Sequence, residues 1–317
     1  MRMNILVSGS VAYDRIMDFP DLFKNHILPD KAHILNVSFV VDKVKENFGG
    51  TAGNIAYNLA LLGEKPFILS PVGEDFKKYR DWLNRKNVDL SYIKEVAGEL
   101  TSMATMITDR SDNQISGFYP GSLDIEYCDI VKDIKDIKIA IIAPEFVERM
   151  KRYVEIYKEK NIPYIFDPGQ QITVLTKDDI NSALSGARVL IGNDYEIQLV
   201  LNKIGRTQAE LKKMVKILVM TKGEKGSEIY SGGEKILIPA AKPSNVTDPT
   251  GAGDAYRAGF IKGLIENWSL EKTGKFASVV SSYAVEKYGT QNHEFTRGEL
   301  EKRYFENYEE QLKNFKF

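Results

Sequence analysis

A single cysteine, Cys128, is all the thiol chemistry this 317-residue chain carries. No internal disulfide framework and no thiolate zinc site can be built from it, and the lack of paired thiols fits a reducing compartment. Histidine is almost as scarce. His26, His33 and His293 show no metal-ligand or carboxylate spacing, so surface or packing roles are expected of each. Long apolar runs are missing too: the first, Ile5-Leu6-Val7, ends at Ser8-Gly9-Ser10, too short for a signal-peptide core, and no later run approaches a membrane span. The expected address is the cytoplasm. Neither sign of charge is in excess, because 43 Lys and Arg face 44 Asp and Glu for a formal net charge of -1. No broad basic field exists to hold nucleic acid or an anionic membrane, so any anion must be bound locally.

What the chain does have is 43% apolar residues, enough for one large core with a small appended unit or for two ordinary domains. Short apolar runs bounded by Gly, Pro or Asp recur at 4–8, 67–72, 139–143, 164–166, 189–191 and 217–221. They alternate with helical patterns such as 52–62, which ends at Gly63, and 145–160, where Phe146, Met150, Tyr153 and Tyr157 share a face. That rhythm predicts the α/β class, a mostly parallel sheet flanked by helices on both faces. Two stretches break it. Segments 33–48 and 101–119 are rich in β-branched and aromatic residues with a period near two, and the second carries a turn at 109–113. They read as a small antiparallel sheet able to close over a ligand. With no internal repeat, residues 1–317 are expected to form one domain, its lid drawn from about 12–18, 33–48 and 101–120. The charge-dense 129–138 reads as solvated surface, and 297–317, with Leu300, Tyr304, Tyr308 and Leu312 at helical spacing, as a docked terminal helix.

The most informative segment runs from Thr247 through Asp248-Pro249-Thr250-Gly251-Ala252-Gly253-Asp254 to Gly259. A Pro and two Gly precede a helical pattern at 255–264, which sets Gly251, Ala252 and Gly253 at a helix start. Free N–H groups and the helix dipole there favour an anion, and small side chains let phosphate approach the backbone. Asp254, one residue on, is placed to accept a proton from an attacking hydroxyl. Taken alone, the segment could equally be a Gly-rich turn capped by Asp248 or Thr250. A second Gly-rich turn, Phe48-Gly49-Gly50-Thr51-Ala52-Gly53-Asn54, also feeds a helix, and Asn54 offers both a donor and an acceptor or serves only as a cap.

Together the passages near 50 and 250 resemble the paired signatures of the ribokinase-type, or PfkB, carbohydrate kinase family, and the likeness runs essentially end to end. It implies a ribokinase-like α/β fold with a β-sheet lid and an ATP-dependent phosphotransferase. Gly251 to Gly253 would form the anion hole, Asp254 the base, and Gly49, Gly50 and Asn54 the substrate turn. Asn193-Asp194-Tyr195-Glu196 resembles the family's N-x-x-E motif, so Asn193 and Glu196 inherit the ordering of Mg²⁺ and its waters; alone, such a motif is usually a helix cap. Thr221-Lys222-Gly223-Glu224-Lys225-Gly226 resembles the nucleotide loop, which assigns ATP contacts to Thr221, Gly223 and Gly226, with a plain strand-to-strand turn as the alternative. Asp248, with the loop near Tyr288-Gly289-Thr290, matches a position that helps hold a monovalent cation such as K⁺. Arg257 shares the face of Asp254 and is open to a phosphate oxygen or an ion pair.

Within the family the substrate half is most similar to bacterial-type adenosine kinases, through Gly9–Asp14, Ser38-Phe39, Phe118-Tyr119-Pro120-Gly121 and Asp167-Pro168-Gly169-Gln170-Gln171. By that resemblance Ser10, Asp14, Gly50 and Asn54 hold the ribose, Phe118 stacks on the purine, and Ser38, Gln170 and Gln171 contact the nucleoside. The chain departs from the pattern at Ala104, where a second lid aromatic is expected; Met103 or Met106 is left to fill that side. The implied reaction is phosphorylation of the adenosine 5′-hydroxyl in purine salvage. A kinase for another nucleoside or for a free sugar such as ribose or fructose is the alternative. No nucleic acid or membrane partner is expected, and a homodimer through the lid is.

Overall fold

The computed structural model describes residues 4–27, 36–111, 113–123, 131 and 134–312. Nine strands form the main sheet: β1 (Asn4–Ser8), β4 (Phe67–Val72), β5 (Ile93–Glu95), β8 (Ile137–Ile142), β9 (Tyr164–Phe166), β10 (Val189–Asn193), β11 (Ile217–Thr221), β12 (Ser227–Ser231) and β13 (Glu234–Ile238). Their spatial order is β13-β12-β11-β10-β9-β8-β1-β4-β5. All neighbours are parallel except the terminal β11–β12–β13 meander. The central strands are continuous apolar runs because both faces are covered. Alternation sorts them: Ile5, Val7, Ile139, Ile141 and Val219 face one layer, Leu6, Ala140, Ile142, Leu190 and Leu218 the other.

The first layer holds α1 (Thr51–Leu61), α2 (Lys77–Arg85) and α7 (Ala252–Ile265), backed by α8 (Leu270–Ala284) and α9 (Arg297–Tyr308). The second holds α3 (Val147–Glu159), α4 (Lys177–Gly186), α5 (Asp194–Ile204) and α6 (Gln208–Met214). Leu300, Tyr304 and Leu312 are buried, so the C-terminal helix is docked as its spacing suggests. Among the described residues no helix is long and apolar enough to cross a membrane.

The lid is a separate four-stranded sheet of β2 (Ala12–Asp18), β3 (Lys43–Gly49), β6 (Ser102–Thr108) and β7 (Gln114–Tyr119), in the order β3-β2-β6-β7. It is mixed, which corrects the antiparallel expectation: β2 and β6 pair in parallel. Both leave the main body in the same direction, and each has its returning strand, β3 or β7, on its outer side. The 33–48 segment is also only partly strand. Residues 36–42 carry none, and Phe39 instead anchors them in an aromatic cluster with Phe19, Phe23 and His26. Residues 33–35, Cys128 and most of 129–133 lie outside the described residues.

Candidate active site

In a sheet of parallel strands, the loops leaving the carboxyl ends gather along one edge, and ligands bind there. Here those ends carry Ser10 after β1, Asp167 to Gln171 after β9, Asn193 to Glu196 from the last residue of β10 into α5, and Thr221 to Gly226 from the last residue of β11. Asn193 and Thr221 are in register on adjacent strands, so both motifs reach the same level. Asn193 Oδ1 accepts from the Glu196 N–H at 2.8 Å, and Glu196 Oε2 accepts from the Asn193 N–H at 2.7 Å. This capping box starts α5 and aims the Glu196 carboxylate at the edge. Burial, then the nearby Asp167 carboxylate, push the Glu196 pKa up.

The N-terminus of α7 meets the same edge. Gly251 caps it at φ +81°, left-handed backbone that a side chain would strain, and a Cβ there would press on Thr290 at 3.0 Å. The Ala252 N–H is taken by the Pro249 carbonyl at 3.2 Å. At this helix start, among the described residues, the N–H groups of Gly251, Gly253 and Asp254 have no backbone partner. Asp254 accepts a hydrogen bond from Asn54 Nδ2 at 2.8 Å, joining the two Gly-rich motifs across the molecule. Burial pushes the Asp254 carboxyl up to about 7, against the opposing pull of Arg257 and Asn54.

Arg257 settles into the ion pair rather than toward open solvent. Its Nε and Nη2 grip both oxygens of buried Asp167, with Nη2 to Oδ1 at 2.7 Å, and Nη2 lies 4.0 Å from Glu196. The loop bearing Gln170 and Gln171 is thus tied to the helix bearing Asp254. Asp167 was visible only as part of a matching segment, since nothing local marks its partner.

Asp14 stands on β2 against Gly49. A Cβ on Gly49 would lie 2.2 Å from Asp14 Oδ2, so only glycine leaves the carboxylate where it is. Burial, then Asp248, raise Asp14 to about 6. Register places Asn47, Asp14, Ala104 and Phe118 in one row across β3, β2, β6 and β7, hence on one lid face. Phe118 is 58% exposed there. Met106 shares that face, but Met103 packs on the core from the other, which removes it as a candidate for filling the gap at Ala104.

Beside the α7 terminus lies a cleft of about 550 Å³ lined by Thr221, Gly223, Gly226 and Gly253, with Val246, Pro243 and Val285 giving it apolar walls. The Thr221–Gly226 segment is also a strand-to-strand turn between β11 and antiparallel β12. Other assignments are looser. Ser10 Oγ accepts from the Thr51 N–H at 3.0 Å and so caps α1. Ser38 is exposed in 36–42 and Gln170 is exposed in a short 3₁₀ turn, Gly169–Thr173, with no contact drawing them to the other site residues. Asp248 accepts backbone N–H groups of Thr250 at 2.9 Å and Gly289 at 3.0 Å, pinning together the two loops assigned to a cation. His293 is buried against Asn58, and His26 meets the Asp21 carboxylate at 2.8 Å, a surface pairing its spacing did not suggest.

Comparison with known proteins agrees with this fold. Residues 9–296 match the family model described as pfkB family carbohydrate kinase. Over 309 residues the chain is 32% identical to the nucleoside kinase of Methanothermobacter thermautotrophicus, covering 95% of each. The Burkholderia thailandensis nucleoside kinase in complex with ADP-inosine is similar with a TM-score of 0.85 at 33% identity, over 99% of this chain and 98% of that one. The nucleoside kinase of Methanocaldococcus jannaschii, an archaeal member of the ribokinase family, gives 0.85 at 29% identity, over 96% and 98%. Matched over residues 9–296 by the family model and over 95% of its length by a relative at 32% identity, the chain belongs to the pfkB family of carbohydrate kinases.

Proposed function

We propose that this kinase transfers the γ-phosphoryl group of ATP to the 5′-hydroxyl of adenosine, with Asp254 as the general base. The observation that carries the reading is the lid row in which Asp14 and exposed Phe118 share a face with Ala104 between them. Two strand spacings separate them, about 10 Å, enough for a ribose to meet the carboxylate while its base lies against the ring. A free sugar would leave Phe118 unused. The names of the relatives, nucleoside kinases at 32% identity and with bound ADP-inosine, support the same acceptor class.

In this reading Asp254 takes the hydroxyl proton, and the N–H groups of Gly251, Gly253 and Asp254 face the charge of the transferring group. The cleft between Thr221 and Val285 receives the nucleotide. Asn193 and Glu196 suit Mg²⁺ held through water, since they offer hard oxygens and Glu196 Oε1 is not used by the capping box. Among the described residues no group of three or more His, Cys, Asp or Glu could cage a metal, so phosphates and water would supply most ligands. When bound, the ion would offset phosphate charge. Asp248 keeps lone pairs for a monovalent cation such as K⁺ beside its two N–H bonds. Residues of the purine-salvage reading with weaker support are Ser38, Gln170 and Gln171.

A second reading, inosine alongside adenosine, is favoured by Ala104, whose small side chain opens the space facing Phe118. The test is a phosphate-transfer panel of adenosine, inosine, guanosine, ribose and fructose. Phe118→Ala is expected to lower kcat/KM for nucleosides about ten- to a hundredfold, the worth of one base stack, while ribose turnover changes little. Ribose or fructose as best substrate, with Phe118→Ala lowering no nucleoside activity, overturns the nucleoside reading.

A further inference from the structure

Behind Asp254 a line of side-chain hydrogen bonds runs away from the reaction edge into the first helical layer. Asn54 Nδ2 donates to Asp254 Oδ2 at 2.8 Å, Gln291 Nε2 donates to Asn54 Oδ1 at 3.0 Å, and Trp82 Nε1 donates to Gln291 Oε1 at 3.0 Å. Asn54 and Gln291 are 4% and 2% exposed, so neither amide can exchange these partners for bulk water. Each has two chemically opposite ends, and either end could face either neighbour. What decides is the far terminus. An indole N–H only donates, so Gln291 must turn its oxygen to Trp82 and its NH₂ to Asn54. Asn54 must then answer with its oxygen, which leaves its NH₂ for the acceptor-only carboxylate of Asp254.

The side branches agree in polarity. Gln291 Nε2 also reaches the Tyr79 hydroxyl, which donates onward to the Gly49 carbonyl at 2.9 Å. Thr290 Oγ1 lies 2.8 Å from Asn54 Oδ1 and 2.9 Å from the Phe48 carbonyl, two acceptors for its single proton, so it donates to one of them at a time. A Cβ on Gly53 would sit 2.0 Å from the Tyr79 oxygen, so glycine there is needed for the branch to close. Phe48 and Gly49 end lid strand β3, so the same network holds the root of the lid.

We propose that Trp82 and Gln291 are positioning residues for the phosphotransfer reaction: the donor-only indole sets the direction of a relay that presents the Asn54 amide N–H to Asp254. The proposal rests on Asp254 being the base. Reversal of the relay would turn the Asn54 oxygen toward the carboxylate, repelling its ionised, proton-accepting form. The charged and titratable groups facing Asp254 are Arg257 on its own helix, Asp167 after β9, Asp14 on β2 and Tyr79 on α2. Trp82→Phe leaves all of them in place, whereas Gln291→Met also removes the hydrogen bond to the Tyr79 hydroxyl.

The experiment compares pH profiles of kcat/KM for wild type, Trp82→Phe, Gln291→Met and Asp254→Asn. Trp82→Phe keeps a ring stacked between Phe48 and Tyr57 and removes only the N–H. With the relay broken, the acid limb is expected to move to higher pH by about half a unit or more, further in Gln291→Met, with activity recovering on the alkaline side. A purely structural role would instead lower activity alike at every pH. Should Gln291→Met fail to fold, Trp82→Phe decides alone. An unmoved acid limb in the folded variants, with Asp254→Asn inactive, overturns the relay and spares the base. An Asp254→Asn enzyme turning over near the wild-type rate overturns the base assignment, and the relay with it.

Discussion

At the scale of single residues, Asp254 is defined by opposing influences. Burial raises its carboxyl to about 7 while Arg257 and the Asn54 amide hold it from rising further, which suits the general-base role proposed for it. Asp254→Asn is expected to lower kcat by at least about a hundredfold with KM for both substrates little changed, measured by steady-state kinetics. The same shift has a stability consequence. A carboxyl whose folded pKa lies above its ordinary 3.8 binds its proton more tightly in the fold, so ionising it destabilises the fold. That penalty is absent below about pH 4, grows as pH rises, and is complete above about 7. Asp254→Asn is therefore expected to melt higher than wild type at pH 8, with the gap closing toward pH 4, by calorimetry across that range. Residue-scale chemistry was only half legible in the sequence. Glycines and a carboxylate in fixed order mark a helix start that suits an anion or a plain capped turn alike, and only the likeness of two distant segments singles out the first. The Asn54–Asp254 bond spans 200 positions and the Asp167–Arg257 pair spans 90, and no local pattern encodes such partners.

At the scale of elements, α7 explains how Asp254 is held. From Ala255 to Ile265 every residue is buried, so the helix has no solvent face and depends on close packing all round. Its tightest neighbour is α8. A Cβ on Gly259 would come within 2.7 Å of the Ala277 Cα, and one on Gly263 within 2.5 Å of Thr273 Oγ1. Ala277 backbone cannot step aside as a flexible side chain would. Gly259→Ala is expected to lower stability by about 1–3 kcal/mol in denaturant titration despite the better helix propensity of alanine. An unchanged midpoint would show that α7 and α8 separate easily. The strands at 4–8, 67–72, 164–166 and 217–221 fall where the apolar runs predict, because buried parallel strands are written as unbroken apolar stretches. The lid was read less well. Its period of two survives in β6 and β7, but pairing order depends on where each strand leaves the body, and alternation along one strand says nothing of that.

At the scale of the whole molecule, the lid leaves one apolar surface without a partner among the described residues. Its two faces differ by one residue in register: the row through Asp14 lies on the face that carries Phe118, and the rows on either side of it point away. Of these, Tyr13, Phe48 and Met103 pack on the core. Farther out on that same face, Met17, Val44, Ile107 and Ile115 pair in register across all four strands, with Val44 59% and Ile115 42% exposed. A single sheet layer cannot bury two faces by itself, and an apolar row across four strands lies beyond scattered surface exposure. A second copy is the natural cover, because a two-fold arrangement sets the row against its own equivalent and closes without leaving a further apolar edge. The protein is expected to be a homodimer through this lid face, and light scattering over a range of concentrations is the measurement. Val44→Glu should shift the mass toward monomer, since it places a charge at the exposed β3 end of the apolar row. A monomer mass independent of concentration in the wild type would instead mean that the outer lid face stays solvated, and that closure over substrate is the work of each chain alone.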